Sequence, residues 1–337
     1  MKILVTGGAG FIGSNFVRAL MRDTEHSVVC FDLLTYAGRR ENCAEFEGGG
    51  RYSFVRGDIA DPEAVRRAIS DAGVDAVVNF AAESHVDRSI HDASPFVRTN
   101  VMGAQVLVDA AREAGTGRFV HVSTDEVYGD LAPGDAPFTE ETPLAPSSPY
   151  AASKAAADML MLAAFRTHGF PVVVTRCSNN YGPYQFPEKF IPLAISRAAA
   201  GEPIPVYGDG GNVRDWIHVE DHCRGLILAL ERGKPGRVYN FGGNAERKNI
   251  DVVKSILSLM GRPESLVRFV KDRPGHDLRY AMNFERARGE LGFSPTFDFE
   301  AGLADAIGWY GENGEWLAKA SGPEHASFFR KHYGEIK

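Results

Sequence analysis

The sequence has little cysteine, no apolar run long enough to span a bilayer and no excess of basic residues. The four cysteines are Cys30, Cys43, Cys177 and Cys223. They show no CxxC spacing, which argues against a disulfide framework or a metal site and favours buried thiols. Because the first strand pattern begins at Lys2, it leaves no room for a signal peptide, and we expect a cytoplasmic protein without a membrane partner. The formal net charge of −7, without a basic block, argues against nucleic acid as a partner.

Glycine, by contrast, is concentrated near the first strand. A strand pattern, the segment Thr6-Gly7-Gly8-Ala9-Gly10-Phe11-Ile12-Gly13 and a helix pattern follow one another. Gly7 allows a tight turn, Gly10 lets the backbone approach a pyrophosphate, and Gly13 lets the helix pack on the strand. A second strand pattern ends at Asp32, whose carboxylate can bind the adenosine ribose and would repel a 2′-phosphate. The order of these features predicts an NAD site rather than an NADP site.

Strand and helix patterns alternate along the chain, without repeats. Strands are predicted near 52–56, 75–79, 118–122 and 171–176, and helices near 61–71, 94–114, 150–168 and 187–200. Such alternation is typical of a doubly wound parallel α/β sheet of the Rossmann type. We assign residues 1–180 to an NAD-binding domain whose sheet is completed by a strand near 237–241. Residues 181–337 are assigned mainly to a smaller, interleaved α/β substrate-binding domain.

Five polar residues in the middle of the chain suit more than one kind of chemistry. Thr124, Asp125 and Glu126 directly follow a strand pattern, so they should lie at the crevice where parallel strands end, although such residues can also simply cap a turn. Tyr150 and Lys154 are four residues apart on a predicted helix, which can bring the ammonium near the phenol. An alcohol oxidation needs one proton acceptor beside a nicotinamide, and two additional carboxyl groups suit an elimination. The set therefore predicts dehydration coupled to redox chemistry.

With these motifs the chain resembles the extended short-chain dehydrogenase/reductases and, within them, the dTDP-glucose 4,6-dehydratases, over nearly its whole length. The resemblance rests on the glycine segment and on the segments at 34–38, 80–89, 123–129, 150–154, 179–185, 214–216 and 272–277. The Asp-Glu pair and the runs Glu-Ser-His-Val-Asp-Arg-Ser and Arg-Pro-Gly-His-Asp are the most particular to the dehydratases. Leu33 is a departure, since many relatives carry lysine there, and it touches cofactor contacts only.

The resemblance implies that dTDP-glucose is converted to dTDP-4-keto-6-deoxyglucose. Tyr150 takes the C4 hydroxyl proton, with Thr124 bonding the same oxygen and Lys154 holding charge and ribose. Glu126 then removes the C5 proton while a protonated Asp125 donates to the departing C6 hydroxyl, and hydride returns to C6. Two adjacent carboxyl groups can do this only if their pKa values differ.

The resemblance also implies further contacts. Cofactor contacts are expected from Gly7, Gly10, Phe11, Ile12, Gly13, Asp32, Thr35, Asp58, Ile59, Ala81, Ala82, Ser84, Thr99, Tyr150, Lys154 and Asn180. Substrate contacts are expected from Ser84, Thr124, Asn179, Lys189, Phe190, Pro205, Tyr207, Asn212, Arg214, Asn249, Arg273 and His276. Arg214 and Arg273 are assigned to the diphosphate because a guanidinium binds phosphate oxygens in a fork. His85 is interpreted as a supporting histidine.

Two alternatives remain open at this stage. The chain could act on another nucleotide sugar, such as a UDP-sugar, as a dehydratase, epimerase or decarboxylase, or it could be an NAD-binding paralogue without catalysis. No residue that we can argue physically separates thymine from uracil. Because helices 94–114 and 150–168 carry more apolar surface than one sheet face would cover, we also expect a homodimer formed through a four-helix bundle.

Overall fold

The computed structural model describes residues 1–322. Its strands are β1 (Lys2–Thr6), β2 (Ser27–Asp32), β3 (Tyr52–Arg56), β4 (Ala76–Asn79), β5 (Arg118–Thr124), β6 (Val172–Cys177), β7 (Asn179–Tyr181), β8 (Ile204–Tyr207), β9 (Val213–His218), β10 (Val238–Phe241), β11 (Glu246–Lys248) and β12 (Val267–Val270). Its α-helices are α1 (Phe11–Asp23), α2 (Pro62–Ser70), α3 (Val86–His91), α4 (Ser94–Phe96), α5 (Ala104–Glu113), α6 (Pro149–His168), α7 (Phe190–Ala200), α8 (Val219–Arg232), α9 (Asn249–Leu259), α10 (Glu285–Leu291), α11 (Phe299–Glu312) and α12 (Gly314–Ala320). A π-helix spans Val97–Gly103, and 3₁₀ helices span Arg40–Phe46, Asp125–Tyr128 and Glu264–Leu266.

Seven parallel strands form the central sheet in the order β10, β6, β5, β4, β1, β2, β3. The chain runs outwards from β1 to β3 and then returns to build the other half from β4 to β10. The predicted doubly wound parallel sheet is therefore confirmed. In this topology the connections after β1 and β4 leave on opposite faces, which opens a crevice at their carboxyl ends.

The sheet is buried on both faces because its inner strands are almost continuously apolar. In β1, Ile3 and Val5 share one cluster with Phe16 of α1, while Leu4 belongs to the opposite cluster with Leu107 of α5. All five side chains are fully buried. This two-sided packing makes the strand ends a rigid edge for the residues that follow them.

The chain after β6 builds a second layer beside this edge. Strands β11, β9 and β7 form a three-stranded sheet, and β12 pairs with β8. Helices α7, α9 and α11 pack with these strands around a core that includes Trp216, Val252 and Leu303. Strand β10 leaves this layer and pairs with β6 in the central sheet. The division near residue 180 remains a prediction, and residues 323–337 of the second predicted domain lie outside the described residues.

Two predicted helices differ from the structure. The segment 94–114 is not one continuous α-helix, because the π-helix separates α4 from α5. The Asn100 amide in this turn accepts from the Glu83 amide at 2.8 Å and donates to the Ser153 hydroxyl at 2.8 Å. The segment 187–200 becomes helical only at Phe190, because Lys189 is extended and caps it. Between Met1 and Gly322, no helix is both long and apolar enough to span a membrane.

Candidate active site

A cleft of about 320 Å³ lies at the carboxyl ends of β1, β2, β4, β5 and β6. A second cavity of about 180 Å³ is lined by β8, β9 and the segment around Arg273. His85, Glu126, Asn179 and Lys189 line both cavities, which therefore meet at the carboxyl end of β5. The molecule thus offers a large nucleotide-sized cleft joined to a smaller one.

The glycine turn of the larger cleft has the shape that a dinucleotide requires. A Cβ on Gly13 would lie 2.2 Å from the Gly7 carbonyl oxygen, so only glycine lets α1 approach the strand this closely. Gly7 has a φ of +68°, which favours glycine. Gly10 precedes α1 and supplies no capping side chain, so the first amides of the helix face the cleft. These amides fit a pyrophosphate.

The other predicted cofactor residues lie along the same cleft. Asp32 is buried at the end of β2 and accepts hydrogen bonds from the Ala9 and Leu34 amides at 3.0 and 2.8 Å. Every predicted cofactor residue lines this cleft: Gly7, Gly10, Phe11, Ile12, Gly13, Asp32, Thr35, Asp58, Ile59, Ala81, Ala82, Ser84, Thr99, Tyr150, Lys154 and Asn180. The residues present therefore fit a dinucleotide.

Strand β5 delivers three predicted catalytic residues to the floor of the cleft. Thr124 ends the strand and caps the short 3₁₀ helix, because its hydroxyl oxygen accepts from the Glu126 amide at 3.3 Å. The same hydroxyl donates to Asp125 Oδ1 at 3.2 Å. The second oxygen, Asp125 Oδ2, is buried and has no hydrogen-bond partner among residues 1–322. An unpartnered buried carboxyl oxygen in a cleft is suited to carry a proton.

The two adjacent carboxyl groups lie in different electrostatic surroundings. Burial raises the pKa of Asp125 well above its usual range, and the negative charges of Glu126 and Asp215 add to this effect. Burial also raises the pKa of Glu126, but Arg273, Lys189 and Arg214 oppose that rise. Both carboxyl groups are thus shifted towards the protonated form, Asp125 the more strongly, while the three cations beside Glu126 favour its charge.

Helix α6 brings Tyr150 and Lys154 to the same cleft as Asp125. Ser148 caps the helix by accepting from the Ala151 amide at 3.1 Å, and Pro149 occupies the first turn. Lys154 Nζ donates to the Val122 carbonyl of β5 at 2.8 Å. Burial and then the charge of Glu126 raise the pKa of Tyr150 well above its usual range. The protein's own groups therefore keep Tyr150 a phenol, so its ionisation needs additional positive charge.

The smaller cavity contains the predicted diphosphate ligands. Arg214 is buried, its guanidinium donates to the carbonyls of Val213 and Asp277 at 2.7 and 2.9 Å, and no carboxylate pairs with it in the described part of the chain. Arg273 Nη1 pairs with Asp87 at 2.9 Å, while its Nε has no partner within residues 1–322. Cationic groups with spare donors are suited to bind phosphate oxygens.

The remaining predicted substrate residues are distributed unevenly. Asn179, Lys189, Phe190, Pro205, Tyr207, Arg214, Asn249, Arg273 and His276 line the smaller cavity, and Ser84 and Thr124 line the larger one. Asn212 lines neither cavity. Its side-chain amide donates to the Asp277 carbonyl at 3.1 Å and its carbonyl accepts from the Asn249 amide at 2.9 Å. Asn212 therefore supports Asn249, which lines the smaller cavity, without lining that cavity itself.

Sequence reasoning missed a buried ion-pair group at the junction of the two cavities. Glu188, with its side chain 1% exposed, accepts two hydrogen bonds from Arg88 at 2.9 and 3.0 Å. His85 Nε2 lies 3.3 Å from the same carboxylate, and the Arg88 guanidinium lies over the Tyr36 ring. Tyr36 and Arg88 belong to the segments at 34–38 and 80–89, but only the fold brings them to Glu188. The group fixes the His85 ring beside Glu188, and the supporting role of His85 stays a prediction.

The fold and the site together define a class of protein, the extended short-chain dehydrogenase/reductases. The features that define it are the glycine turn after β1, the Ser-Thr-Asp-Glu segment at the end of β5 and the Tyr-x3-Lys pair on α6. Residues 4–306 match the family model described as GDP-mannose 4,6 dehydratase, and the chain belongs to this family. All four cysteines are buried free thiols, as predicted.

Named relatives narrow the comparison further. A dTDP-glucose 4,6-dehydratase from Streptomyces niveus is 52% identical over 332 residues, which cover 97% of this chain and 98% of the relative. The crystal structure of the dTDP-glucose 4,6-dehydratase DesIV from Streptomyces venezuelae, with NAD and dTDP bound, is similar with a TM-score of 0.92 and 50% identity, covering 95% of this chain and all (100%) of that one. The UDP-glucose 4-epimerase of Thermus thermophilus, in complex with NAD, has a TM-score of 0.85 and 31% identity, covering 93% and 100%. The resemblance to the dTDP-glucose 4,6-dehydratases is thereby confirmed.

Proposed function

We propose that this protein is a hydro-lyase that converts dTDP-glucose to dTDP-4-keto-6-deoxyglucose with NAD as its cofactor. The observation that carries the proposal is the pair of adjacent carboxyl groups in one cleft: Asp125 Oδ2 is buried without a partner among residues 1–322, whereas Arg273, Lys189 and Arg214 favour the charge of Glu126. The names of the relatives support the same substrate and reaction. A net oxidation at C4 would need only one proton acceptor and would not use this pair of carboxyl groups.

The protein's residues would hold the cofactor across the sheet edge. The turn at Gly10 and the start of α1 would bind the pyrophosphate, Asp32 the adenosine ribose, and Lys154 the nicotinamide ribose. Bound NAD would take hydride from sugar C4, return it to C6 and supply the positive charge that favours the Tyr150 phenolate.

The first chemical step needs a proton acceptor at the C4 hydroxyl. Tyr150 as phenolate accepts this proton, and the Thr124 hydroxyl bonds the same oxygen. The Lys154 ammonium, held against the Val122 carbonyl, adds positive charge next to Tyr150 on the same helix face. The sugar becomes a 4-ketone, and this carbonyl acidifies the C5 proton.

The second step is an elimination between C5 and C6. Glu126 removes the C5 proton as a carboxylate, because Arg273, Lys189 and Arg214 favour its charged form. Asp125 Oδ2, buried and without a partner in the described chain, donates its proton to the departing C6 hydroxyl. The water molecule that leaves thus contains the C6 oxygen and the Asp125 proton. Reduction at C6 and return of a proton to C5 complete the reaction.

The second candidate is an epimerase that acts on another nucleotide sugar. The epimerase is 31% identical to this chain, whereas the dehydratases are near 50% identical. The comparison therefore favours dehydration over epimerisation. An epimerase also has no step that needs a protonated acid at C6. Product analysis by mass spectrometry after incubation with dTDP-glucose, UDP-glucose and GDP-mannose separately decides between them. We expect loss of one water molecule from dTDP-glucose, and an isomer of unchanged mass would contradict the proposal.

The diphosphate contact predicts the behaviour of Arg214→Ala. The change removes a charge-assisted contact worth about 1.5–3 kcal/mol, so KM for dTDP-glucose should rise about tenfold to a hundredfold with a smaller effect on kcat. Arg268→Ala is the matched control, because Arg268 is exposed on β12 and its guanidinium donates to the carbonyls of Ser265 and Val267. An unchanged KM in Arg214→Ala would show that Arg214 does not bind the diphosphate.

We propose that the protein forms a homodimer through the π-helix segment and α6. Val97 and Met102 are 50% and 58% exposed in the π-helix, and Met159 of α6 is 58% exposed. Such apolar surface on neighbouring helices supports a two-fold four-helix bundle. Light scattering should give a dimer mass, and Met159→Lys should shift it towards the monomer, whereas Leu259→Lys on α9 should not. A monomer mass for the parent at micromolar concentration would contradict this.

We also infer that the protein works in the cytoplasm. The four buried, unpaired cysteines support this location, since a reducing compartment keeps thiols free.

A further inference from the structure

Helix α6 continues the catalytic pair with a third buried polar residue. Tyr150, Lys154 and Asp158 follow at intervals of four, so they share one face of the helix, and all three are buried. Asp158 is 0% exposed and lies one turn beyond Lys154, below the floor of the cleft. It does not line either cavity, so it cannot touch a substrate.

The Asp158 carboxylate is surrounded by groups from the sheet. Oδ2 accepts from Arg176 Nε of β6 at 2.8 Å, and Oδ1 lies 3.7 Å from His121 Nε2 of β5. The other ring nitrogen of His121 contacts Asn79 at 3.1 Å, and Asn79 accepts from the Thr6 hydroxyl at 2.6 Å. The cluster therefore connects α6 with four strands of the central sheet.

One oxygen of this carboxylate lies near His121 without forming a hydrogen bond. Asp158 Oδ1 is buried and has no hydrogen-bond partner among residues 1–322. Arg176 has a further contact, because its guanidinium lies 4.7 Å from the centre of the Tyr128 ring. Burial raises the pKa of Asp158, but Arg176 opposes that rise and favours the carboxylate, whose charge acts strongly on neighbouring groups because little water screens it.

We propose that Asp158 is a positioning residue, whose buried charge keeps the Lys154 ammonium protonated and seated against the Val122 carbonyl beside Tyr150. The inference rests on the proposed function, in which Lys154 serves the oxidation at C4. Lys154 and Asp158 form no direct ion pair within 4.0 Å in the described chain, so the effect acts through charge.

The charged groups around Lys154 favour this role. Burial lowers the pKa of Lys154 to about 8, and Asp158 is the largest opposing influence, followed by Cys177 of β6. On β5, burial lowers the pKa of His121 well below its usual range, so this imidazole is neutral. Arg176 of β6 is a cation. With Asp158 neutralised, Lys154 and Arg176 would both lose the carboxylate that favours their charged forms.

Tyr150 is the remaining titratable group on the same helix face, and it is a neutral phenol under the protein's own charges. The sign of the expected effect follows from these groups. The ammonium of Lys154 is present below its pKa and is lost as pH rises through it. Removing the Asp158 charge lowers that pKa, so the ammonium is lost at a lower pH.

The direct test is an NMR titration of lysine labelled with ¹³C at Cε in the full-length protein, with the Lys154 signal assigned by Lys154→Arg. The chain has 10 lysines, so the spectrum is small. In Asp158→Asn, which keeps the shape of the side chain, we expect the Lys154 midpoint about one to three pH units below that of the parent. Asp109→Asn, a partly exposed aspartate of α5, is the matched control and should leave the midpoint unchanged. An unchanged midpoint in Asp158→Asn would overturn the proposal.

The pH profile of kcat distinguishes positioning from a merely structural role. We expect kcat of Asp158→Asn to fall with rising pH at a lower pH than in the parent, and Asp158→Glu to restore the profile. A loss that is equal at every pH would contradict the proposal. If Asp158→Asn alone does not fold, the second change Arg176→Met removes the cation that has lost its partner. The Lys154 midpoint is then measured in the double variant Asp158→Asn/Arg176→Met. The NMR midpoint needs no substrate, so its outcome is independent of whether dTDP-glucose is the substrate.

Discussion

In a Glu126→Gln variant, we expect the reaction to stop after oxidation of the sugar. Tyr150 and the dinucleotide cleft are unaltered, so the C4 hydroxyl can still be oxidised. Glutamine cannot accept the C5 proton, so turnover should fall about 10²–10⁴-fold, the usual contribution of a positioned base. Rapid quenching and mass spectrometry should then detect the 4-keto hexose that still carries its C6 hydroxyl, and absorbance should report enzyme-bound reduced nicotinamide.

The control for this variant is Glu63→Gln, because Glu63 is exposed in the first turn of α2 and lines neither cavity. It should turn over at the parent rate. If Glu126→Gln also keeps the parent rate, Glu126 is not the base. The different electrostatic surroundings of Asp125 and Glu126 would then not serve the elimination.

In a Tyr150→Phe variant, the expected block comes one step earlier. The phenol oxygen that accepts the C4 proton is removed, while the ring still packs against Phe96 with a centroid distance of 6.3 Å. We expect kcat to fall by about 10²–10⁴-fold, with no accumulation of the 4-keto sugar. Binding of dTDP, measured by calorimetry, should change little, because the diphosphate ligands lie in the other cavity.

Tyr184→Phe is the matched control for this loss, since the Tyr184 ring packs on Trp309 and its hydroxyl makes no hydrogen bond within residues 1–322. It should retain the parent rate. Accumulation of the oxidised sugar in Tyr150→Phe, at the parent rate, would assign the C4 proton to another group.

The parts of the site that sequence predicted well are those carried by local segments. Gly7, Gly10 and Gly13 lie in one turn, and Asp125 and Glu126 follow one strand. Alternating strand and helix patterns then determine where those segments meet, because parallel strands end at the same sheet edge. For this reason the central sheet and the cofactor cleft could be expected without coordinates.

The parts that sequence did not predict depend on contacts between distant segments. The π-helix forms where Asn100 bonds Glu83 and Ser153, and an apolar pattern alone gives no sign of it. Burial raises the pKa of both Asp125 and Glu126, and the rise of Glu126 alone is opposed by Arg273 and Lys189, which belong to the second layer. Asn212, directly before β9, lines neither cavity, and its side-chain amide donates to the backbone carbonyl of the distant Asp277.

The most direct test of the central claim is to follow the C4 hydrogen through one turnover. With dTDP-glucose deuterated at C4 in ordinary water, the proposed reaction places the deuterium in the C6 methyl group and takes the C5 hydrogen from water, without net consumption of NAD. NMR of the product locates both positions. Deuterium released to solvent or found in free NADH, or a steady rise in the absorbance of NADH, would contradict the account.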